Sequence, residues 1–218
     1  MEQLNIDYTF TSESRSFCPD CEFLKSRCLC DTLKLIPNNV HVVILQHPTE
    51  TKHPLNTVRI MKKSFTEISV LVGEDFSSDL KLNTILCDSS NQCALLYPND
   101  KADVLNSHNA SKAITHLLLI DGTWRKAKKI FMLSTNLHNI PTLKLEPQEQ
   151  SDYRIRKAPS ENSLSTLEAS VLALNILEPK LDTSPATRSF VKMIDHQIEK
   201  MGRVLYQTNY LNKTKKKE

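Results

Sequence analysis

Glycine is scarce in this chain: its 218 residues include only three, Gly73, Gly122 and Gly202. No two of them can share one nucleotide-binding loop. A Gly-x-Gly-x-x-Gly dinucleotide fingerprint and a phosphate-cradling P-loop are therefore both absent. Long apolar runs are missing too, and none approaches the roughly 20 residues that cross a bilayer. The opening Met-Glu-Gln-Leu-Asn-Ile-Asp has neither the basic nor the apolar region of a secretory signal. The expected compartment is the cytoplasm, where cysteines stay reduced and their spacing points to metal or catalysis rather than to disulfides. Charge of one sign is lacking as well. A net charge of +3 permits a nucleic-acid partner without demanding one.

What is present is ordinary in bulk. With 39% hydrophobic and 24% charged residues, the chain fits one soluble compact domain with a small appendage. Short β-branched or leucine-rich runs at 40–46, 67–72, 94–97, 116–120 and 142–145 alternate with longer helical patterns. Such runs predict parallel strands covered on both faces, hence an α/β fold with helices on either side of a mainly parallel sheet. Ser165-Thr166-Leu167-Glu168 reads as a capping box that starts a helix. Ser184-Pro185 reads as a cap and first-turn proline for the next one. There is no internal repeat. Residues 1–17 and the basic stretch 209–218 read as loose ends around a cysteine-rich knuckle at 18–36 and an α/β domain at 37–208.

Cys18-x2-Cys21-x6-Cys28-x-Cys30 gathers four thiols within thirteen residues. Four cysteinates satisfy tetrahedral zinc, and four protein ligands leave no open position for substrate, so a structural ion is expected. A lone Cys-x-x-Cys would suit redox chemistry equally, but the second close pair favours metal. Cys87 and Cys93 lie elsewhere and are expected to be buried small hydrophobes.

Residues 115–124, Thr-His-Leu-Leu-Leu-Ile-Asp-Gly-Thr-Trp, end a buried strand on an aspartate immediately before a basic helix. Ligands of open α/β sheets bind beyond the carboxyl ends of the strands, where helix N-termini can face them. Asp121 is therefore a candidate catalytic group, and helix capping is its competing role. In the helix that follows, Trp124, Ala127 and Phe131 share one face, so Trp124 is either core or a ligand contact.

Several segments, in order, resemble the DTW-domain family of tRNA-uridine aminocarboxypropyltransferases. They are the four cysteines, Leu45-Gln46-His47-Pro48-Thr49-Glu50, Asn56-Thr57, Leu95-Leu96-Tyr97-Pro98, Asp121-Gly122-Thr123-Trp124-Arg125, Tyr153-Arg154-Ile155-Arg156 and Leu164-Ser165-Thr166-Leu167-Glu168-Ala169. A proline expected between the cysteine pairs is missing. The resemblance implies a SPOUT-like fold with a knotted C-terminal half, and S-adenosylmethionine as co-substrate. It also implies transfer of the 3-amino-3-carboxypropyl group to N3 of a tRNA uridine, with Asp121 as base. An ordinary aspartate is a feeble base, and burial beside the cofactor is the physical means of strengthening it.

Cofactor contacts are expected from Leu96, Tyr97, Pro98, Leu119, Ile120, Gly122, Thr123, Trp124, Leu164, Ser165 and Thr166. tRNA contacts are expected from His47, Asn56, Arg125, Lys126, Lys129, Arg154 and Arg156. Each has a plainer role: His47 as a hydrogen-bonded fixture or, with Glu50, an acid–base pair; Asn56 as a cap; the cations as a solvated surface. The rival functions are a SPOUT-type RNA methyltransferase and a non-catalytic zinc-bearing RNA-binding protein. No membrane and no obligate protein partner is inferred.

Overall fold

The computed structural model describes residues 16–106, 114–146 and 164–211. Six strands form one wholly parallel sheet: β1 (His41–Gln46), β2 (Ile68–Val72), β3 (Cys93–Leu96), β4 (Asp103–Val104), β5 (His116–Asp121) and β6 (Thr142–Lys144), in the order β2-β1-β5-β3-β6-β4. Helices separate β1 from β2, β2 from β3 and β5 from β6, as the run spacing predicts, whereas β3, β4 and β5 follow one another with no helix among the described residues. The two-residue β4 gives no sequence signal because it is too short to show a period.

Alternate residues of the central strands face opposite layers. Val42, Ile44, Leu117 and Leu119 join a core built with helices α1 (Val58–Ser64), α4 (Thr166–Leu177) and α5 (Ser184–Met201). Val43, Leu45 and Leu118 join a second core with α2 (Leu80–Cys87) and α3 (Trp124–Leu133). Each fully buried aliphatic or aromatic side chain contributes about 1.5–3 kcal/mol, and with both faces covered the strands read as continuous apolar runs.

The neighbouring strands β1 and β5 are followed by connections that run in opposite directions across the sheet. The connection after β1 leads outward to β2, whereas that after β5 leads the other way, to β6. The carboxyl ends of β1 and β5 thus flank a topological switch point, the usual location of an α/β ligand site. Gln46 and Asp121 are the last residues of these strands and stand opposite each other in register.

The cysteine knuckle is not a free appendage. Cys18, Cys21, Phe23 and Leu29 belong to the same hydrophobic core as α1 and α5. Ser189 bonds Thr32 at 3.0 Å, Lys192 reaches Asp31 at 2.6 Å, and Arg27 donates to Gln197 at 3.1 Å. Phe17 bridges to Leu24 and so joins the knuckle. At the other end, Tyr210 stacks on Tyr206 at 5.8 Å and packs against the core.

Two local expectations are corrected. Helix α5 has Thr183, not Ser184, at its N-cap, and the Thr183 hydroxyl donates to Asn175 instead of capping. Cys87, at the last residue of α2, is exposed, and Cys93 is only half-buried. A helix C-terminus that projects past its sheet leaves its final residue without a covering layer.

Candidate active site

The Asp121 carboxylate is held by two donors from different elements. Gln46 Nε2 donates to Oδ2 at 2.9 Å, and the Thr166 hydroxyl donates to Oδ1 at 2.5 Å. Gln46 Nε2 also lies 3.4 Å from Asn56 Oδ1, while Asn56 Nδ2 donates to the Thr51 carbonyl. The end of β1 and the start of α4 therefore meet on one carboxylate, and the loop after β1 backs Gln46 from behind. The capping alternative is taken by another residue: Thr123 is the N-cap of α3, its side chain accepting from the Lys126 amide. Gly122 permits the close approach of these segments, since a Cβ there would stand 3.1 Å from Lys126 Cβ and 3.6 Å from His47 Cβ.

Beside this carboxylate is a cleft of about 170 Å³ lined by Leu96, Tyr97, Pro98, Leu119, Ile120, Gly122, Trp124, Leu164, Ser165 and Thr166. Ten of the eleven residues expected to touch a cofactor are thus neighbours in space. The eleventh, Thr123, is committed to its cap. Ala127, Lys144, Leu145 and Ala169 complete the lining and were not among the residues expected to touch a cofactor. The volume is below the roughly 300–1,000 Å³ typical of ligand pockets; residues 147–163, which connect lining residues Leu145 and Leu164, lie outside the described residues.

Trp124 is 45% exposed and lines the cleft; the buried face of α3 is Ala127 and Ile130. Tyr97 stacks on Phe131 at 4.6 Å, and burial pushes its hydroxyl above the usual tyrosine range. Ser165 and Glu168 form the expected capping box at the start of α4.

His47 is buried, and both its ring nitrogens are engaged. Nδ1 accepts from the Thr49 amide at 3.2 Å, and Nε2 faces Glu74 at 2.7 Å, which assigns the ring proton to Nε2 from the hydrogen-bond pattern. Glu50 pairs instead with Lys126 at 2.7 Å, so His47 and Glu50 are not a pair. Lys129 binds Glu74, which, together with His47, holds the Glu74 carboxyl below the usual range. Of the expected tRNA-binding cations on α3, Arg125 is exposed, whereas Lys126 and Lys129 carry carboxylate partners. Arg154 and Arg156 lie outside the described residues.

The four knuckle cysteines bring their sulfurs within 4.8 Å of one another. Cys18–Cys30 is 3.6 Å, and Cys21–Cys28 and Cys18–Cys28 are 3.7 Å. A regular tetrahedron with metal–sulfur bonds of about 2.3 Å has edges of about 3.8 Å, so the donor set fits a four-coordinate ion. Backbone amides of Cys21 and Asp20 pull the Cys18 thiol down to about 7, while Cys28 and Cys18 beside it push Cys30 up.

A parallel α/β sheet with a carboxylate at its switch point and a thiolate cluster at its flank defines the class of this protein. The DTW domain profile matches residues 15–205, and the chain belongs to the DTW-domain family. It is similar to tRNA-uridine aminocarboxypropyltransferase 2 of Mus musculus, 33% identical over 77% of this chain and 58% of the relative. The Drosophila melanogaster protein of the same name is 36% identical over 76% of this chain and 68% of the relative. tRNA-uridine aminocarboxypropyltransferase A of Arabidopsis thaliana is 23% identical over 92% of this chain and 84% of the relative. The chain spans under two thirds of the mouse relative's length. No solved structure matches it. Among the described residues no helix is long and apolar enough to cross a membrane.

Proposed function

We propose that this chain transfers the 3-amino-3-carboxypropyl group of S-adenosylmethionine to N3 of a tRNA uridine, releasing methylthioadenosine. The observation that carries this reading is the doubly anchored Asp121 carboxylate beside the cleft, in a family whose curated relatives bear that activity in their names. The N3–Cγ bond forms as the Cγ–S⁺ bond breaks. The bonding pair leaves on sulfur, which becomes a neutral thioether, and the N3 proton passes to Asp121. Because the leaving group is already activated, alignment of N3 with the carbon–sulfur bond supplies much of the rate.

Hydrogen bonds to a carboxylate favour its charged form. Gln46 and Thr166 therefore aim Asp121 more than they strengthen it, and proton transfer belongs to the transition state. The apolar walls at Leu96, Leu119, Ile120 and Leu164, with Tyr97 and Trp124, suit an adenosine moiety. Lys144 and the start of α4 suit the carboxylate of the methionyl arm, with Arg154 and Arg156 as further candidates.

The same reading assigns a SPOUT-like, knotted C-terminal half, a structural zinc on Cys18, Cys21, Cys28 and Cys30, and a cytosolic setting that keeps these thiols reduced. The test is to incubate the protein with unmodified tRNA and S-adenosylmethionine labelled in either the methyl or the carboxypropyl carbons. Carboxypropyl label in the RNA is expected. Methyl label points to a methyltransferase, and RNA binding without label points to a binding protein; either result overturns the reading.

A further inference from the structure

A second cleft, of about 530 Å³, lies between the knuckle, the loop after β1 and helix α5. The knuckle contributes Phe17, Phe23, Leu24 and Arg27. The loop and the start of α1 contribute Thr51, Lys52, Pro54, Leu55 and Arg59, and α5 contributes Met193, His196, Gln197 and Lys200. Four cations and no carboxylate line it. Neither Arg27, Lys52, Arg59 nor Lys200 has an ion-pair partner among the described residues. By contrast, Lys126, Lys129, Lys63 and Lys192 are each neutralised by an acidic neighbour. Other cations, Lys62, Lys81 and Arg125 among them, also have no ion-pair partner among the described residues; what distinguishes this wall is that four cations converge on one cleft with no carboxylate in its lining.

Two aromatic rings stand in the same wall. Phe17 is 59% exposed among the described residues. The Arg59 guanidinium lies over the Phe23 ring, 5.2 Å from its centroid, and Arg59 also donates to the Glu22 carbonyl at 3.3 Å. These contacts fix the fork. Arg27 is oriented by Gln197, and Nδ1 of His196 is buried without a hydrogen-bond partner.

From this arrangement we propose that the second cleft binds a single-stranded segment of the tRNA next to the target uridine, gripping its phosphates with Arg27, Lys52, Arg59 and Lys200 and stacking one unpaired base on Phe17. Arginine forks match phosphate oxygens, and lysines add point charge. A cationic groove combined with an exposed aromatic is the recurring design for unpaired nucleic acid. The volume falls within the roughly 300–1,000 Å³ that holds a ligand the size of a nucleotide.

The two clefts communicate through one loop. Its Thr51, Lys52, Pro54 and Leu55 line the second cleft, while its Asn56 bonds the Thr51 carbonyl and approaches Gln46, the partner of Asp121. RNA seated against this loop is positioned relative to the carboxylate. The proposal rests on the tRNA-transferase reading and adds where the RNA backbone lies.

The test measures binding of unmodified tRNA by fluorescence anisotropy across a salt series, with no turnover involved. Lys52 and Lys200 are exposed, so the double variant Lys52→Glu/Lys200→Glu keeps the fold, checked by circular dichroism. The neutral pair Lys52→Gln/Lys200→Gln gives a milder version, and Lys81→Glu on α2 serves as an unrelated charge reversal. Expected are a Kd weakened by about tenfold or more, a salt dependence reduced by about 2 in log–log slope, and no change for Lys81→Glu. Phe17→Ala is expected to weaken binding by about tenfold without altering the slope. Wild-type affinity and slope in both lysine pairs would overturn the second cleft alone. Failure of the unaltered protein to bind tRNA overturns the transferase reading with it. Competition by polyglutamate but not by polyuridylate overturns RNA as the occupant.

Discussion

The cleft beside Asp121 holds about 170 Å³ between leucines, an isoleucine, a tyrosine and a tryptophan, with Lys144 as its one cation among the described residues. The cleft under the knuckle holds about 530 Å³ and carries four cations and exposed Phe17. The first suits a compact amphipathic cofactor and lies beside the Asp121 carboxylate. The second suits an extended anion. Chemistry and grip are thus assigned to different parts of one molecule, joined by the loop that carries Asn56.

The sharpest way to break that division is Asp121→Asn, which keeps the size of the side chain and removes its negative charge. Turnover is expected to fall by about 10²–10⁴-fold, while S-adenosylmethionine and tRNA affinities, read by calorimetry and anisotropy, stay near wild type. Metal removal comes next. Treatment with a chelator to strip the proposed zinc, or Cys21→Ser at a fully buried member of the cysteine cluster, is expected to cost several kcal/mol of stability. The loss is followed by thermal melting, and tRNA affinity falls with it because the knuckle supplies Phe17 and Arg27. Lys52→Glu/Lys200→Glu is expected to raise KM for tRNA by about tenfold with kcat at saturating tRNA unchanged, from steady-state kinetics. The smallest effect belongs to Thr166→Val. It removes the Thr166 bond to the carboxylate, and at about 1 kcal/mol per bond the expected loss in kcat is about fivefold.

The clefts also differ in how visible they are in the sequence. The Asp121 cleft is built from strand ends and helix starts, and two of those positions are marked locally, by an apolar run that stops on Asp121 and a capping box at Ser165; Tyr97-Pro98 is marked only through the family resemblance. Lys144 escaped because β6 is three residues long and ends on an ordinary-looking lysine. Trp124 was ambiguous because helical period alone places it with Ala127. Only the fold shows that the first turn of α3 projects over the cleft.

The second cleft has no local mark at all. Arg27 and Gln197 touch across 170 positions of chain, and no pattern in either segment announces the other. Likewise the thiol spacing pointed to a metal, but not to a knuckle that shares its core with α5. Cys87 was misjudged because burial of a helix-terminal residue depends on where the helix ends relative to the sheet.

The most direct measurement is a matched kinetic comparison of Asp121→Asn and Lys52→Glu/Lys200→Glu on the same unmodified tRNA, with methylthioadenosine release as the readout. Division of labour predicts that the first variant loses kcat with tRNA affinity intact, and that the second loses tRNA affinity with kcat intact. If both variants lose the two quantities together, or if Asp121→Asn turns over at the wild-type rate, the account is contradicted.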